Sequence, residues 1–180
     1  MSVILLEYAK NFKYPTPFEL HFSEMIREKY EKDREYKCGD DVDRDLAAHM
    51  TVIKHRGICL YGREISQVFG DIPRESYIDS LICDIKDAKE GIIHNPVYYT
   101  LNLCRVLCCI RHDSILSKLE AGNWGIEHLP QKFSLLLKNA VGAYQGQPGF
   151  EGWDHEELIS FADYMLNEIH RSASSNQGGK

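Results

Sequence analysis

The sequence predicts a mainly α protein, a helical bundle preceded by a two-stranded remnant of a sheet. Three observations carry that prediction. From Ser23 onward, apolar residues recur at spacings of three and four, the period of one buried helix face. Helix start and stop residues bracket those runs, with Ser, Asp or Asn before them and Gly or Pro after them. Only two extended runs stand ahead of them, and two strands alone are marginal in water.

The first extended run, Ser2-Val3-Ile4-Leu5-Leu6, is continuously apolar, as a strand covered on both faces is. The second, Phe18-Glu19-Leu20-His21-Phe22-Ser23, alternates apolar and polar and predicts a half-covered strand. Between them Tyr14-Pro15-Thr16-Pro17 forbids helix and forces an extended turn. A short helical segment over Glu24 to Tyr30 then leads into a charged loop around Asp40-Asp41. Asp43 can cap a helix through Lys54 that stops at Gly57. Ile58 to Gly62 connects to a brief helix over Glu64 to Phe69, closed by Gly70 and Pro73. Arg74 to Lys89 carries Tyr77, Ile78, Leu81, Ile82 and Ile85 as one apolar stripe.

Asn95-Pro96 reads as a cap with proline at the first helical position, opening a helix over Val97 to Ile110 that is apolar nearly all round and therefore central. Ser117 caps a helix through Gly122, Pro130 opens another through Tyr144, and Gly146-Gln147-Pro148-Gly149 is a loop. Asp154 with Glu157 makes a capping-box pattern before a last helix to His170, and the small polar tail from Ser172 to Lys180 is expected to be disordered.

Composition narrows the function. A net charge of -6 argues against a nucleic-acid binder, which presents a basic face, and suits a cationic small molecule. No apolar run reaches the roughly 18 residues of a membrane span and no signal peptide opens the chain, so a cytoplasmic protein without a membrane partner is expected. The six cysteines show no Cys-x-x-Cys pair, and Cys104, Cys108 and Cys109 lie in the apolar helix, so all six are read as free thiols and no metal site is assigned.

Candidate binding residues cluster on the central helix. Tyr98, Asn102 and Arg105 fall at spacings of four and three and share a face. A guanidinium there needs a partner: either an ion pair with Asp79, Asp84 or Asp87, or an anion such as phosphate. Lys118 follows the cap Ser117, where a cation meets the positive end of the helix dipole. It is either a solvated lysine or half of a phosphate site made with the helix N-terminus. Tyr144 closes a helix and is either core or a stacking surface for a purine. No catalytic Ser/His/Asp or Cys/His arrangement appears, nor does a Gly-Ser followed by Asp-x-Asp that would hold magnesium and a nucleoside triphosphate.

Several segments in order resemble one family: Pro17 to Glu24, Asp45-Leu46-Ala47-Ala48-His49, Arg56 to Gly62, Asn95-Pro96-Val97-Tyr98 through Leu101-Asn102-Leu103-Cys104-Arg105, and Ser117-Lys118 with Trp124-Gly125 and Leu129-Pro130. Together they are similar to the streptomycin/spectinomycin adenylyltransferases. That resemblance implies a two-domain enzyme, the two strands being the end of a nucleotidyltransferase sheet and the helices the carboxyl-terminal domain, with the active site in the cleft between. Its cofactors are ATP and Mg, and its reaction is transfer of AMP to a hydroxyl of spectinomycin or streptomycin, giving antibiotic resistance. By position, Arg105, Lys118 and Tyr144 match residues that contact ATP. Asn95 matches an acidic position that contacts the aminoglycoside, Met25 stands where streptomycin-accepting members have a tryptophan, and Tyr98 is assigned with them to the drug side. An uncharged Asn95 attracts a cationic drug less, which favours spectinomycin or a substrate that is neither drug.

The resemblance places the catalytic glutamate at or just before Met1, so no catalytic or metal-binding residue is assigned here. The expected organisation is residues 1–23 as terminal strands of a truncated nucleotidyltransferase domain, 24–171 as the helical substrate- and nucleotide-binding domain, and 172–180 as the tail. A missing amino-terminal domain is the implied partner. The competing expectation is a non-catalytic helical binding module derived from the same family.

Overall fold

The computed structural model describes residues 1–147 and 152–177, so Pro148 and Gly149 of the expected loop and residues 178–180 of the expected tail lie outside the described residues. The protein is mainly helical, as the periodicity predicts, and its chain forms two compact units, Met1–Cys83 and Asp84–Lys180.

The first unit is built from short pieces. Strand β1 (Ser2–Val3) is followed by helix α1 (Leu6–Lys10), strands β2 (Thr16–Phe18) and β3 (Leu20–His21), a single 3-10 turn over Glu24–Ile26, and helix α2 (Arg27–Lys32). Strand β4 (Asp41–Asp43), α3 (Leu46–Arg56), α4 (Ile65–Val68) and α5 (Arg74–Asp84) complete it, the last residue of α5 belonging to the second unit. Two antiparallel pairs form: β1 with β3, Ser2 opposite His21, and β2 with β4, Pro17 opposite Val42.

Three expectations need correction here. The run Ser2 to Leu6 is not a buried strand: β1 stops at Val3, Leu6 starts a helix, and Val3, Leu5 and Leu6 are exposed. A continuous apolar run stays buried only when sheet or helix covers both faces, and β1 has a single two-residue partner. The charged stretch at Asp41 is a strand rather than a loop, because the Pro-bounded segment Thr16–Phe18 offers it an edge. Asp43 does not cap α3; its carboxylate accepts the amide of Asp45 at 2.8 Å, and Asp45 occupies the cap position. The unit's core gathers Phe18, Leu46 and Met50, with Ile4, Phe12, Cys38, Phe69 and Ile72 packed against them.

The second unit holds α6 (Ala88–Gly91), α7 (Pro96–His112), α8 (Lys118–His128), α9 (Ser134–Tyr144, entered through a 3-10 turn over Gln131–Phe133) and α10 (His155–Gln177). The helix expected over Arg74 to Lys89 breaks after Asp84 and restarts at Ala88, yet Ile85 and Ala88 are both buried across the break. Helix α7 is central as predicted: Leu101, Leu103, Cys104, Val106 and Leu107 are fully buried, and α8, α9 and α10 all pack on it. Gly122 explains why α8 runs past the glycine where it was expected to stop. A Cβ there would lie 2.6 Å from Val141 Cγ2 and 2.7 Å from Leu101 Cδ2, so this glycine admits close helix packing and ends nothing. Phe133 packs edge-on against Phe161, and Lys89 pairs with Asp163 at 2.8 Å, fastening α6 to α10. Helix α10 continues to Gln177, beyond the end expected at His170. Among the described residues no helix is long and apolar enough to cross a membrane.

Candidate functional site

The start of α7 follows its sequence signals. Asn95 caps it, its side chain accepting the amide of Tyr98 at 3.4 Å, and Pro96 fills the first position, where a missing N–H costs nothing. From that start the helical period brings Tyr98, Asn102 and Arg105 to one face. Asn102 is fully buried, and neither its amide oxygen nor its nitrogen has a hydrogen-bond partner among the described residues.

Arg105 is mostly buried, and of its possible partners the structure selects Asp84: Nη2 lies 3.7 Å from Asp84 Oδ2, an ion pair too long for a hydrogen bond. Its Nε is buried with no partner among the described residues. Asp84 gives its short bond to Tyr98, whose hydroxyl donates to Oδ1 at 2.5 Å. Asp79, another carboxylate considered for Arg105, accepts from Tyr14 at 2.5 Å and from Arg44 at 2.7 Å.

Helix α8 brings the second cation. Ser117 and Glu120 form a capping box, Ser117 Oγ accepting the Glu120 amide at 3.2 Å and the Glu120 carboxylate accepting the Ser117 amide at 2.7 Å. That box fixes the first turn and sets Lys118 with its ammonium 4.3 Å from the centre of the Tyr98 ring, a cation–π distance. Burial holds the Lys118 pKa below the usual lysine value; Arg105 pushes it further down and Asp84 partly restores it.

The structure thus brings Tyr98, Arg105 and Lys118 together. Of the other three residues predicted for binding, Asn95 meets the cluster only through its bond to the Tyr98 amide. Asn95 is exposed at the tip of α7, Tyr144 is 49% exposed at the end of α9, and no hydrogen bond, ion pair or ring contact joins Tyr144 to either cation. Met25, in the first unit, is 94% exposed. Sequence reasoning proposed Asp84 only as one of three salt-bridge partners; its link to Tyr98 follows from the end of α5 and carries no sequence signal.

Chemically the cluster offers one cation at the start of an 11-residue helix and a second, on α7, with an unspent buried donor. That is an arrangement for a polyanion, since helix N-termini and guanidinium groups both favour phosphate oxygens. It does not fit a divalent metal. Asp84 is already engaged by Tyr98 and Arg105, and among the described residues no group of three or more His, Cys, Asp or Glu is placed to hold one.

The chain is 24% identical over 96% of its length to a spectinomycin 9-adenylyltransferase of Staphylococcus aureus, and 22% identical over 94% to an aminoglycoside (3'') (9) adenylyltransferase of Klebsiella pneumoniae. It spans 66% of the length of the first and 64% of the second. In fold it is similar to the crystal structure of a spectinomycin adenyltransferase from Enterococcus faecialis with ATP and spectinomycin, with a TM-score of 0.79 at 20% identity, covering 94% of this chain and 67% of that one. The profile of the aminoglycoside adenylyltransferase C-terminal domain matches residues 67–168, more than half of the sequence and all of the Asp84, Tyr98, Arg105 and Lys118 cluster, and the chain belongs to that family.

Proposed function

We propose that this chain supplies the nucleotide- and drug-binding part of an enzyme that transfers AMP from ATP to a hydroxyl of an aminoglycoside-type antibiotic, conferring resistance in the cytoplasm. The observation that carries the proposal is the pair of cations, Lys118 over the Tyr98 ring and Arg105 beside the Asp84 that holds that ring, with the Arg105 Nε unspent. Arg105 and Lys118 hold the polyphosphate of ATP, and Tyr144, exposed at the end of α9, offers a ring to the adenine. The helical binding domain extends from about residue 24, with Asn95, Tyr98 and Met25 on the drug side. A neutral amide at Asn95, engaged as a helix cap, suits spectinomycin better than the more strongly cationic streptomycin.

Among the described residues no group of acids is placed to hold magnesium, so the acids that bind it, together with the base for the attacking hydroxyl, are assigned to the polypeptide that makes up the remaining length of the relatives. The test has two arms. Calorimetry with ATP should show binding by the chain alone that is lost in Arg105→Ala. Transfer of labelled AMP to spectinomycin should require addition of a relative's amino-terminal domain. Transfer by the chain alone above a buffer control would place the acids on this chain. Binding without transfer in any combination would favour a non-catalytic module, and no ATP affinity at all would refute the proposal.

A further inference from the structure

Asp84 stands among the cations in a way that a structural salt bridge does not require. Asp79, which like Asp84 accepts a tyrosine hydroxyl at 2.5 Å, still reaches its own arginine, Arg44, at hydrogen-bond distance, 2.7 Å. Asp84 leaves Arg105 at 3.7 Å and spends its short bond, 2.5 Å, on the hydroxyl of Tyr98. The ring so held is the one that carries the Lys118 ammonium at 4.3 Å. One largely buried carboxylate is therefore linked to all three residues: directly to Tyr98, at ion-pair range to Arg105, and through the ring to Lys118.

Two like charges brought to one site repel, and a long lysine side chain has many rotamers to lose. A carboxylate between them offsets the repulsion, and a fixed aromatic face gives the ammonium one preferred seat. We propose that Asp84 is a positioning residue: by anchoring the Tyr98 hydroxyl and standing beside Arg105, it holds the Lys118 and Arg105 cations as a preassembled pair for the phosphates of the nucleotide. The proposal rests on the reading of Arg105 and Lys118 as the polyphosphate-binding pair. It runs against simple electrostatics, because removing a negative charge beside two cations should by itself tighten an anion.

The test uses the full chain, inorganic tripolyphosphate as the probe, and the variants Asp84→Asn and Tyr98→Phe, with thermal melts confirming that each folds. Each variant should weaken tripolyphosphate binding about tenfold in calorimetry, a loss of roughly 1.4 kcal/mol. Tighter binding by Asp84→Asn would overturn the proposal and leave Asp84 as a mere counter-charge. A second readout needs no anion. With the lysines 13C-methylated and the Lys118 signal assigned through Lys118→Arg, that signal should carry an upfield ring-current shift from Tyr98. The shift should shrink in Asp84→Asn and in Tyr98→Phe as the ring loses its anchor. A shift of full size in both variants overturns the positioning role whatever the affinities are. Tripolyphosphate binding insensitive to Arg105→Ala and Lys118→Ala would instead refute the phosphate reading, with Asp84 still judged by the ring-current shift.

Discussion

Helix α7 carries two arginines six positions apart, and they are used differently. Arg111, near its carboxyl end, donates to Glu168 of α10 in a short charge-assisted bond and to Ser172 Oγ at 3.2 Å, while Glu168 also accepts from Arg171 at 2.7 Å. Arg105 has only a 3.7 Å ion pair and a buried Nε without a hydrogen-bond partner among the described residues. Both side chains are largely covered, so burial does not separate them. What separates them is the number of donors already spent. A guanidinium whose hydrogen bonds end on its own protein is a fastener, and one whose donors are held near acceptors without reaching them is set for an acceptor from outside.

The largest test of that contrast removes the frame both arginines share. Leu107, fully buried between them on α7, should cost about 2–5 kcal/mol when changed to Ala, read as a shift in the urea midpoint. A small loss would mean that the two ends of α7 are fixed independently of its core. Next, Arg105→Ala should lower triphosphate affinity by about 1.5–3 kcal/mol per charge-assisted bond removed, while the melting temperature barely moves. An equal drop in stability with unchanged affinity would make Arg105 a fastener like its neighbour. The reciprocal change, Arg111→Met, should cost about 1–2 kcal/mol of stability, because Glu168 keeps Arg171 but loses its better-covered partner, and should leave anion binding untouched.

The smallest expected effect concerns pH. Lys118 faces Arg105, Asp84 and the Tyr98 ring, with Glu120 of its own helix turned back to the cap, and burial is the main cause of its lowered pKa. Anion affinity should therefore fall as pH rises through a value below the ordinary 10.5 of lysine. For stability the sign is opposite: between that lowered pKa and 10.5 the unfolded chain holds more protons than the folded one, so stability rises with pH across the window. Denaturant midpoints of the native chain minus those of Lys118→Met, taken at both ends of the window, should show a slight positive difference, and a negative one would mean that Lys118 gains rather than loses from its surroundings.

The second unit was largely legible because its signals are local and mutually consistent. Asn95-Pro96 opened α7, Ser117 opened α8, and the apolar period of α7 named the core before any contact was visible. The first unit was less so. Its sheets depend on pairings such as Pro17 with Val42 across an intervening helix, and nothing in the charged run at Asp41 signals an edge that Thr16–Phe18 will offer. At the site, helical spacing placed Tyr98, Asn102 and Arg105 on one face, but the step from Tyr98 to Lys118 joins two helices through a ring face, which no spacing rule encodes. Asp84 was visible only as a charge, because its bond to Tyr98 depends on where α5 ends.

The close approach of α8 at Gly122 has a consequence for how such a protein diversifies. With Val141 and Leu101 within 2.7 Å of where a side chain would begin, α8 cannot slide or rotate to re-aim Lys118 without unpacking the core. The cation near the helix start is thus a fixed fixture of the scaffold, inherited with the fold. Replacements that disturb no packed neighbour are open at exposed positions such as Met25 and Tyr144, and lineages should drift there while α8 keeps its register.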